Sequence, residues 1–351
     1  MRILWDFRLF SYGYGSRGVG VYTRYLAEAV LRENPSAVIY VWADRKKLPN
    51  DIKSWPVRWI PYTSCSWKQA LYRIPYLILR YNIDIFHYWI CLGPIHSVGM
   101  GLIHHCKVVG TVYDLGVELW NDVPFAESKR NTRYWYMQKK LIRQCADVLC
   151  ISDATRNDLH RVIPKSKSTT HVVYAPLPCG HHETPDTREP YFITLGGSVH
   201  KNLRRTIEAF CAFKENHDYY KLIVLGDIDP EEELPDTVPG FIKFEDMSQY
   251  SFHLLHAGGL IFCSLHEGLG LPPVEAMIHG CPLLVSDIPS LKEICDQYAL
   301  FVNPLDTSAI TEGMEELAAN QKKWITLSHH GKSHYWEMSK DSGRKVAALY
   351  K

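Results

Sequence analysis

The stretch that decides the fold is SLHEGLGLPPVEAMIHGCPLLVSDIPSLKEI, residues 264–294. Its Gly-Leu-Gly-Leu loop stands directly before a helix that opens with Pro272 and Pro273. Proline suits the first helical turn because its missing N–H would have no partner there. Backbone amides at the positive end of a helix dipole favour phosphate oxygens. Glu267 precedes the loop and Glu275 follows it by about one turn, so the stretch predicts a phosphate-binding unit that carries two carboxylates.

Strand-like and helix-like segments alternate along the rest of the chain. Such alternation favours parallel sheets that are covered by helices. A run rich in proline and polar residues, residues 176–190, interrupts the alternation and is typical of a linker. The sequence therefore predicts an α/β protein of two Rossmann-like, doubly wound domains, over residues 1–175 and residues 191–335. A final helix is expected over residues 336–351.

The composition is that of an ordinary globular protein, with 46% hydrophobic and 22% charged residues among 351. This length fits two domains. The formal net charge of +1 excludes a global attraction to nucleic acid or anionic lipid. The ten cysteines lack the spacing of metal ligands and indicate reduced thiols. Because neither a leader segment nor an apolar run long enough for a membrane span is evident, we expect a cytoplasmic protein.

The order of Glu267, the glycine loop, Glu275 and the following strand resembles the signature of retaining GT-B glycosyltransferases. The large family concerned is family 4, which includes bacterial mannosyltransferases and sucrose synthases. The resemblance covers nearly the whole chain and is strongest over residues 191–306. It implies two domains that face a cleft, with the acceptor in the first and the nucleotide sugar in the second, and a C-terminal helix that returns to the first domain. A short glycine pattern in an unrelated α/β protein is the alternative.

The resemblance implies a donor site in the second domain. It places Glu267 near the transferred sugar and Glu275 on the hydroxyls of the nucleotide ribose. It also implies that the loop contacts the diphosphate and the sugar through Gly268, Leu269, Gly270 and Leu271.

A second match, YFITLGGSVHKNLRRTIEAF over residues 191–210, resembles the family's glycine-rich strand end and the basic pair after it. We assign Gly197 to donor binding, and Lys201 to the cation that neutralises the diphosphate as it leaves. The position before Lys201 is often Arg in the family and is His200 here. That departure leaves Arg204 or Arg205 as substitutes for the second cation, and of the two we assign Arg205 to donor binding. A solvated lysine at a helix entry is the alternative for Lys201.

The glycine-rich loop GYGSRGVG, residues 13–20, resembles the family's first-strand loop, which reaches toward donor phosphate and acceptor. Glycine permits the close backbone approach that such ligands require. We assign Gly18 and Gly20 to the donor, and Tyr14 and Arg17 to the acceptor. The pattern is not the GxGxxG fingerprint of dinucleotide sites, and a surface turn is the alternative.

The run VVGTVYDL, residues 108–115, places Asp114 at the carboxyl end of a strand, where open α/β sheets bind ligands. The family frequently has His-Asp here, whereas this chain has Tyr113 and Asp114. By resemblance, Asp114 joins Lys201 and Glu267 as a catalytic residue, and Tyr113 and Asp114 contact the acceptor. Capping of the next helix is the alternative for Asp114.

The activity implied by the resemblance is hexose transfer from a nucleotide-diphosphate sugar, with retention and without a metal ion or other cofactor. GDP-mannose is the first donor expected and a UDP-sugar the second. The expected acceptor is a glycan or a lipid-linked glycan in polysaccharide or lipopolysaccharide assembly. Three alternatives stay open: a catalytically silent nucleotide-binding module, a nucleotide-sugar epimerase, and a dinucleotide oxidoreductase, whose fingerprint is incomplete in both halves.

The stretch KRNTRYWYMQKKLIR, residues 129–143, mixes six cations with aromatic side chains. It suits a solvated helix face, or a peripheral contact with anionic lipid on the inner face of the cytoplasmic membrane. Nucleic acid is the weakest of its alternatives, and we expect no nucleic-acid partner. We interpret the Asp-Ile-Asp sequence of residues 227–229 as a loop. Adjacent histidine pairs point apart, so we expect no metal site.

Overall fold

Two units, each built on a parallel sheet, make up the chain in the computed structural model. The structure describes residues 1–11, 13–15, 17–62, 67–89, 105–115, 139–164, 166–178, 185, 187–228 and 240–351. One unit contains Met1–Leu177 and Ser339–Lys351, and the other contains Pro178–Met338. The basic aromatic stretch lies outside the described residues up to residue 138, as does Asp229 of the Asp-Ile-Asp sequence.

The first unit contains a sheet whose described strands follow the order β3-β2-β1-β4-β5-β6-β7, with parallel neighbours throughout. The strands are β1 (Arg2–Asp6), β2 (Val38–Ala43), β3 (Arg58–Pro61), β4 (Ile85–Tyr88), β5 (Lys107–Val112), β6 (Asp147–Cys150) and β7 (Thr169–Val172). The described helices that precede the second unit are α1 (Arg8–Ser11), α2 (Gly18–Glu33), α3 (Asn50–Lys53), α4 (Trp67–Tyr81) and α5 (Asp153–Val162).

The second unit repeats this plan with the strand order β10-β9-β8-β11-β12-β13, again parallel. Its strands are β8 (Glu189–Leu195), β9 (Lys221–Leu225), β10 (Ile242–Glu245), β11 (Ala257–Phe262), β12 (Leu283–Ser286) and β13 (Leu300–Val302). The helices are α6 (Leu203–Lys214), α7 (Tyr250–His256), α8 (Leu271–Ile278), α9 (Pro289–Cys295), α10 (Thr307–Ala319) and α11 (Gln321–Ser339).

The sequence forms these sheets because its central strands are apolar along most of their length, as strands covered by helices on both faces must be. In β11 every residue is buried. Phe192 of β8 and Ile261 of β11 belong to one core cluster with Ile207 and Phe210 of α6. The predicted α/β class with two Rossmann-like, doubly wound domains is confirmed. Among the described helices, none combines the length and the apolar character that crossing a membrane requires.

The C-terminal helix belongs to the first unit, where α12 (Ser342–Leu349) packs on α2. The hydroxyl of Tyr350 accepts a hydrogen bond from Trp5 Nε1 at 3.1 Å and lies 2.5 Å from His87 Nδ1. The other ring nitrogen of His87 is 2.8 Å from Thr111 Oγ1. Burial lowers the pKa of His87 to about 3, so the ring is neutral and the network holds the chain end without a buried charge.

Two details of the predicted element bounds are wrong. The prediction of one helix over residues 336–351 fails because α11 continues to Ser339 and α12 begins only at Ser342. The predicted linker over residues 176–190 includes the first two residues of β8, which begins at Glu189. Both errors lie at element ends, where local sequence is least informative.

Candidate functional site

Two loops of the second unit meet where its strand order changes direction. β8 and β11 are neighbours, and from them the sheet extends outward in opposite directions through β9 and β12. Open α/β sheets bind ligands at the carboxyl ends of the strands beside such a switch point. The loop after β8 runs through Gly197 to Lys201, and the loop after β11 carries Glu267. The Leu265 N–H donates to the His200 carbonyl at 2.8 Å, which ties the two loops together.

Lys201 and Glu267 form an ion pair at this point, with 2.7 Å between Nζ and Oε1. Their side chains are only 18% and 12% exposed, and the ammonium also lies 4.6 Å from the ring centroid of Phe262. Burial by itself would raise the pKa of Glu267, but the charges of Lys201 and His200 outweigh it and leave this pKa below its ordinary value. The pair therefore places a cation and a carboxylate side by side at neutral pH.

Asn202 fixes the backbone that follows Lys201. Its φ of 60° lies in the left-handed region, and its Nδ2 donates to the carbonyl oxygens of Cys263 at 3.0 Å and Pro304 at 2.7 Å. Arg205, predicted as the second cation, donates from Nη1 to Asn202 Oδ1 at 3.0 Å. Asn202 was not predicted as a site residue. The available signal was an asparagine directly before a helix, since asparagine tolerates left-handed backbone better than most residues.

Glu275 lies about one turn into α8, and its carboxyl group has a raised pKa. Burial raises its pKa to about 7, and the hydroxyl of Tyr250 partly offsets this effect. Tyr250 is the first residue of α7, and its hydroxyl is buried. A perturbed carboxyl group next to a switch point is typical of a functional site.

The glycine loop turns sharply before α8. Gly270 has a φ of 88° and a ψ of 63°, which only glycine adopts without strain in most contexts. Leu269 and Leu271 are 3% and 8% exposed, so their side chains belong to the core. A ligand can therefore meet these two leucines only through their backbone, in agreement with a loop that binds by its amides.

Gly270→Ala is expected to lower the free energy of unfolding by about 2 kcal/mol, because an L-residue is strained at this φ. The added Cβ would also lie 2.4 Å from Leu291 Cδ2, inside a van der Waals contact. Urea titration of the variant measures the effect. Gly240→Ala is the matched control because nothing lies within 4 Å of its Cβ position. Equal losses in the two variants would contradict the assigned role of Gly270.

The first-strand loop of the first unit is held by Gly20. A Cβ on this residue would come within 2.4 Å of the Gly15 carbonyl oxygen and 2.5 Å of the Tyr14 carbonyl oxygen. Gly20 therefore permits the loop to lie against the start of α2. Arg17 and Gly18 are exposed, and the guanidinium of Arg17 lies 5.7 Å from the centroid of the Tyr14 ring. Their contacts with donor and acceptor stay predictions.

Tyr113 and Asp114 follow β5 and differ in environment. Tyr113 is 7% exposed, and its hydroxyl lies 2.5 Å from Thr23 Oγ1 of α2. This burial indicates that Tyr113 positions α2 against β5, and its predicted contact with the acceptor is untested. Asp114 is exposed at the carboxyl end of the strand. Ser152 caps α5 by accepting a hydrogen bond from the Thr155 N–H at 3.0 Å.

The predicted residues therefore form two groups, one in each unit. The second unit holds Gly197, Lys201, Arg205, Glu267, Gly268, Leu269, Gly270, Leu271 and Glu275. The first unit holds Tyr14, Arg17, Gly18, Gly20, Tyr113 and Asp114. In the part of the chain that the structure describes, no three His, Cys, Asp or Glu side chains are grouped as metal ligands.

Comparison with known sequences matches both units to glycosyltransferases. The family model described as "Glycosyltransferase Family 4" matches residues 16–179, and the model "Glycosyl transferases group 1" matches residues 182–333. The O-antigen chain mannosyltransferase of Salmonella typhimurium is 28% identical over 49% of this chain and 50% of its own length. The MMP alpha-(1->4)-mannosyltransferase of Mycolicibacterium hassiacum is 25% identical over 72% of this chain and 66% of its own length. The chain thus spans between half and two thirds of these relatives.

Solved structures share the fold over nearly the full length. Sucrose-phosphate synthase from Thermosynechococcus elongatus has a TM-score of 0.70 at 16% identity, over 100% of this chain and 98% of that chain. The Anabaena protein HepE, solved with UDP and glucose, has a TM-score of 0.73 at 14% identity over 99% of both chains. Two family models that follow one another along the chain, and this shared fold, establish that the chain belongs to the family 4 glycosyltransferases with the GT-B fold.

Proposed function

We propose that this chain transfers a hexose from a nucleotide-diphosphate sugar to a glycan or lipid-linked acceptor, with retention and without a metal ion. The observation that carries the proposal is the largely buried pair of Lys201 and Glu267 at the switch point of the second unit. Glu275 lies on the helix that follows the same loop. A cation for phosphate, a carboxylate for sugar hydroxyls and a second carboxylate for ribose are the groups that such a donor needs.

In this mechanism the second unit stabilises the leaving group. Negative charge develops on the diphosphate as the bond to the anomeric carbon breaks, and Lys201 with the amides of the glycine loop is suited to stabilise it. The sugar passes through an oxocarbenium-like state. Retention follows if the acceptor attacks from the side of the departing phosphate, which takes the acceptor proton. Exclusion of water from the site would protect the donor from hydrolysis.

The first unit contributes the acceptor side of the proposal. Asp114 is exposed at the carboxyl end of β5, and we assign it to a polar group of the acceptor. Tyr14 and Arg17 lie on the loop that Gly20 holds against α2, and we assign both to the acceptor. Tyr113 is buried, and its hydroxyl lies next to Thr23. We therefore assign Tyr113 to positioning the carboxyl end of β5, on the acceptor side of the proposal.

The donor and the acceptor class are proposed from the named relatives. Two mannosyltransferases among them favour GDP-mannose as donor. A structural relative solved with UDP and glucose makes a UDP-sugar the second candidate. The O-antigen relative favours a lipid-linked glycan of lipopolysaccharide assembly as acceptor. A peripheral contact with anionic membrane belongs to this proposal, since such an acceptor is presented at a membrane.

A catalytically silent nucleotide-binding protein of the same fold is the second candidate. It is favoured by His200 and Tyr113, two positions at which the chain departs from the pattern that it resembles. Such a protein would bind the nucleoside diphosphate but release none from the intact sugar nucleotide. An epimerase would instead convert the free sugar nucleotide without an acceptor.

A thermal-shift panel of UDP, GDP, ADP, CDP and TDP in the presence of EDTA tests the proposal. One diphosphate is expected to raise the melting temperature, because a ligand at a hundred times its Kd stabilises the folded state by about 2.7 kcal/mol. Glu275→Ala and Lys201→Ala should both lose this rise. Release of that diphosphate from its mannose or glucose derivative on addition of acceptor then separates transfer from silent binding. The site assignment would be wrong if no diphosphate raised the melting temperature, or if both variants responded like the wild type.

A further inference from the structure

Lys201 and Glu267 form an ion pair in the structure, but the proposed function assigns a different ligand group to each of them. Lys201 is assigned to the diphosphate and Glu267 to the sugar, yet in the structure the two side chains bind each other at 2.7 Å. A lysine ammonium that turns to a diphosphate gives up at least part of its contact with the carboxylate. Donor binding therefore includes an exchange of partners.

The backbone on both sides holds the pair in place. The Leu265 N–H donates to the His200 carbonyl, and the Asn202 side chain donates to the Cys263 carbonyl. These hydrogen bonds tie the loop after β8 to the end of β11 immediately before and after Lys201. The two charges can thus separate by rotation of their side chains, without movement of the loops.

The environment makes a lone Glu267 carboxylate unfavourable beside phosphate. Its side chain is 12% exposed, so little water is available to screen its charge. In the paired state Lys201 and His200 keep the pKa of Glu267 below its ordinary value against the opposing effect of burial, so Glu267 is an anion at the moment when Lys201 turns away. Once Lys201 binds the diphosphate, the Glu267 carboxylate is stable only if other groups donate hydrogen bonds to it. The hydroxyls of a transferable sugar are such donors.

We propose that Glu267 competes with the diphosphate for Lys201, so that the site binds the intact sugar nucleotide more tightly than the nucleoside diphosphate left after transfer. The inference rests on the proposed function and adds a means of product release to it. With the intact donor, sugar hydroxyls compensate Glu267 for the loss of Lys201. After transfer the sugar is gone, Glu267 again attracts the ammonium, and the diphosphate keeps a weaker contact with Lys201.

Calorimetric titration without acceptor tests this competition, with GDP, UDP, GDP-mannose and UDP-glucose as probes. Glu267→Gln keeps the shape of the side chain and removes its charge. We expect this variant to bind the nucleoside diphosphate about tenfold more tightly than the wild type, because a like charge next to the phosphates is gone. Its affinity for the intact donor should be unchanged or lower. Glu208→Gln, at an exposed ion pair of α6, is the matched control and should change neither affinity.

The outcomes separate the inference from the function on which it rests. If Glu267→Gln binds the nucleoside diphosphate no more tightly than the wild type does, Glu267 does not compete for Lys201. Glu267→Ala replaces the glutamine variant in this measurement if that variant folds poorly. Binding of none of the four probes by the wild type overturns the proposed function itself, and the inference with it. Unchanged binding by Glu275→Ala has the same consequence.

Discussion

Replacing Lys201 by methionine is expected to lower kcat/KM for sugar transfer by about 10²- to 10³-fold, or roughly 3 to 4 kcal/mol in the barrier. The cation would be lost where negative charge develops on the leaving diphosphate. Methionine keeps the length and apolar character of the lysine stem, so its packing against Phe262 can persist. Initial-rate measurements with the donor that the thermal-shift panel identifies give the value.

Two further variants separate this catalytic effect from a folding defect. Lys221→Met removes an exposed cation at the opposite end of the sheet and should leave the rate unchanged. Lys201→Met alone leaves Glu267 buried without its partner and should lower the free energy of unfolding by about 1 to 3 kcal/mol. Lys201→Met combined with Glu267→Gln should recover most of that stability and none of the activity. Recovery of the rate in the double variant would show that Lys201 acts only through folding.

The sequence predicted the architecture well because its central strands are apolar and its loops are rich in glycine. Two strands at the sheet edges carry little signal in the sequence. β7, with the sequence TTHV, contains no fully buried residue, and β10, with the sequence IKFE, contains one. Edge strands are half solvated, so their sequence carries no continuous apolar run. Their pairing is decided by the neighbouring strand.

The sequence allowed the residues of the candidate site to be proposed, but it did not show which of their side chains contact each other. Lys201 and Glu267 are 66 positions apart, and their contact depends on β8 lying beside β11. Arg188 fell within the predicted linker, yet it is 7% exposed and donates to the carbonyls of Leu254 at 2.6 Å and His279 at 2.7 Å. It thereby joins the ends of α7 and α8. Nothing in the local pattern around Arg188 distinguishes it from a solvated arginine.

The affinity for the intact sugar nucleotide is expected to fall about 100-fold between pH 8 and pH 5, because the proposed contact of Glu275 with the ribose hydroxyls depends on its ionised carboxylate. The pKa of this group is raised to about 7 by burial. Below that value each further drop of one pH unit lowers the ionised fraction of Glu275 about tenfold, and it weakens donor binding by the same factor. The intact donor is the suitable probe since each of its phosphates carries one ester and the shared anhydride linkage, which leaves no acidic group that titrates in this range. Fluorescence or calorimetric titration across the range gives the profile.

Glu275→Gln and Tyr250→Phe test the physical cause of this profile. The glutamine variant should bind weakly at every pH and without the slope. Its folded state should also gain stability on the order of 2 kcal/mol above pH 7, because the raised pKa means that the folded chain prefers the neutral carboxyl group. The wild type has that stability fully below the ordinary carboxyl pKa and loses it as the pH rises through 7.

Tyr250→Phe should shift the midpoint of the binding profile to higher pH, because the Tyr250 hydroxyl lowers the pKa of Glu275. Tyr219→Phe removes an exposed hydroxyl from the same unit and should leave the midpoint in place. If the slope survives in Glu275→Gln, another group controls it, and His200 beside Lys201 is the next to test. If both tyrosine variants leave the midpoint unchanged, burial alone sets the acidity of Glu275, and the ribose contact still stands on the loss of affinity in the glutamine variant.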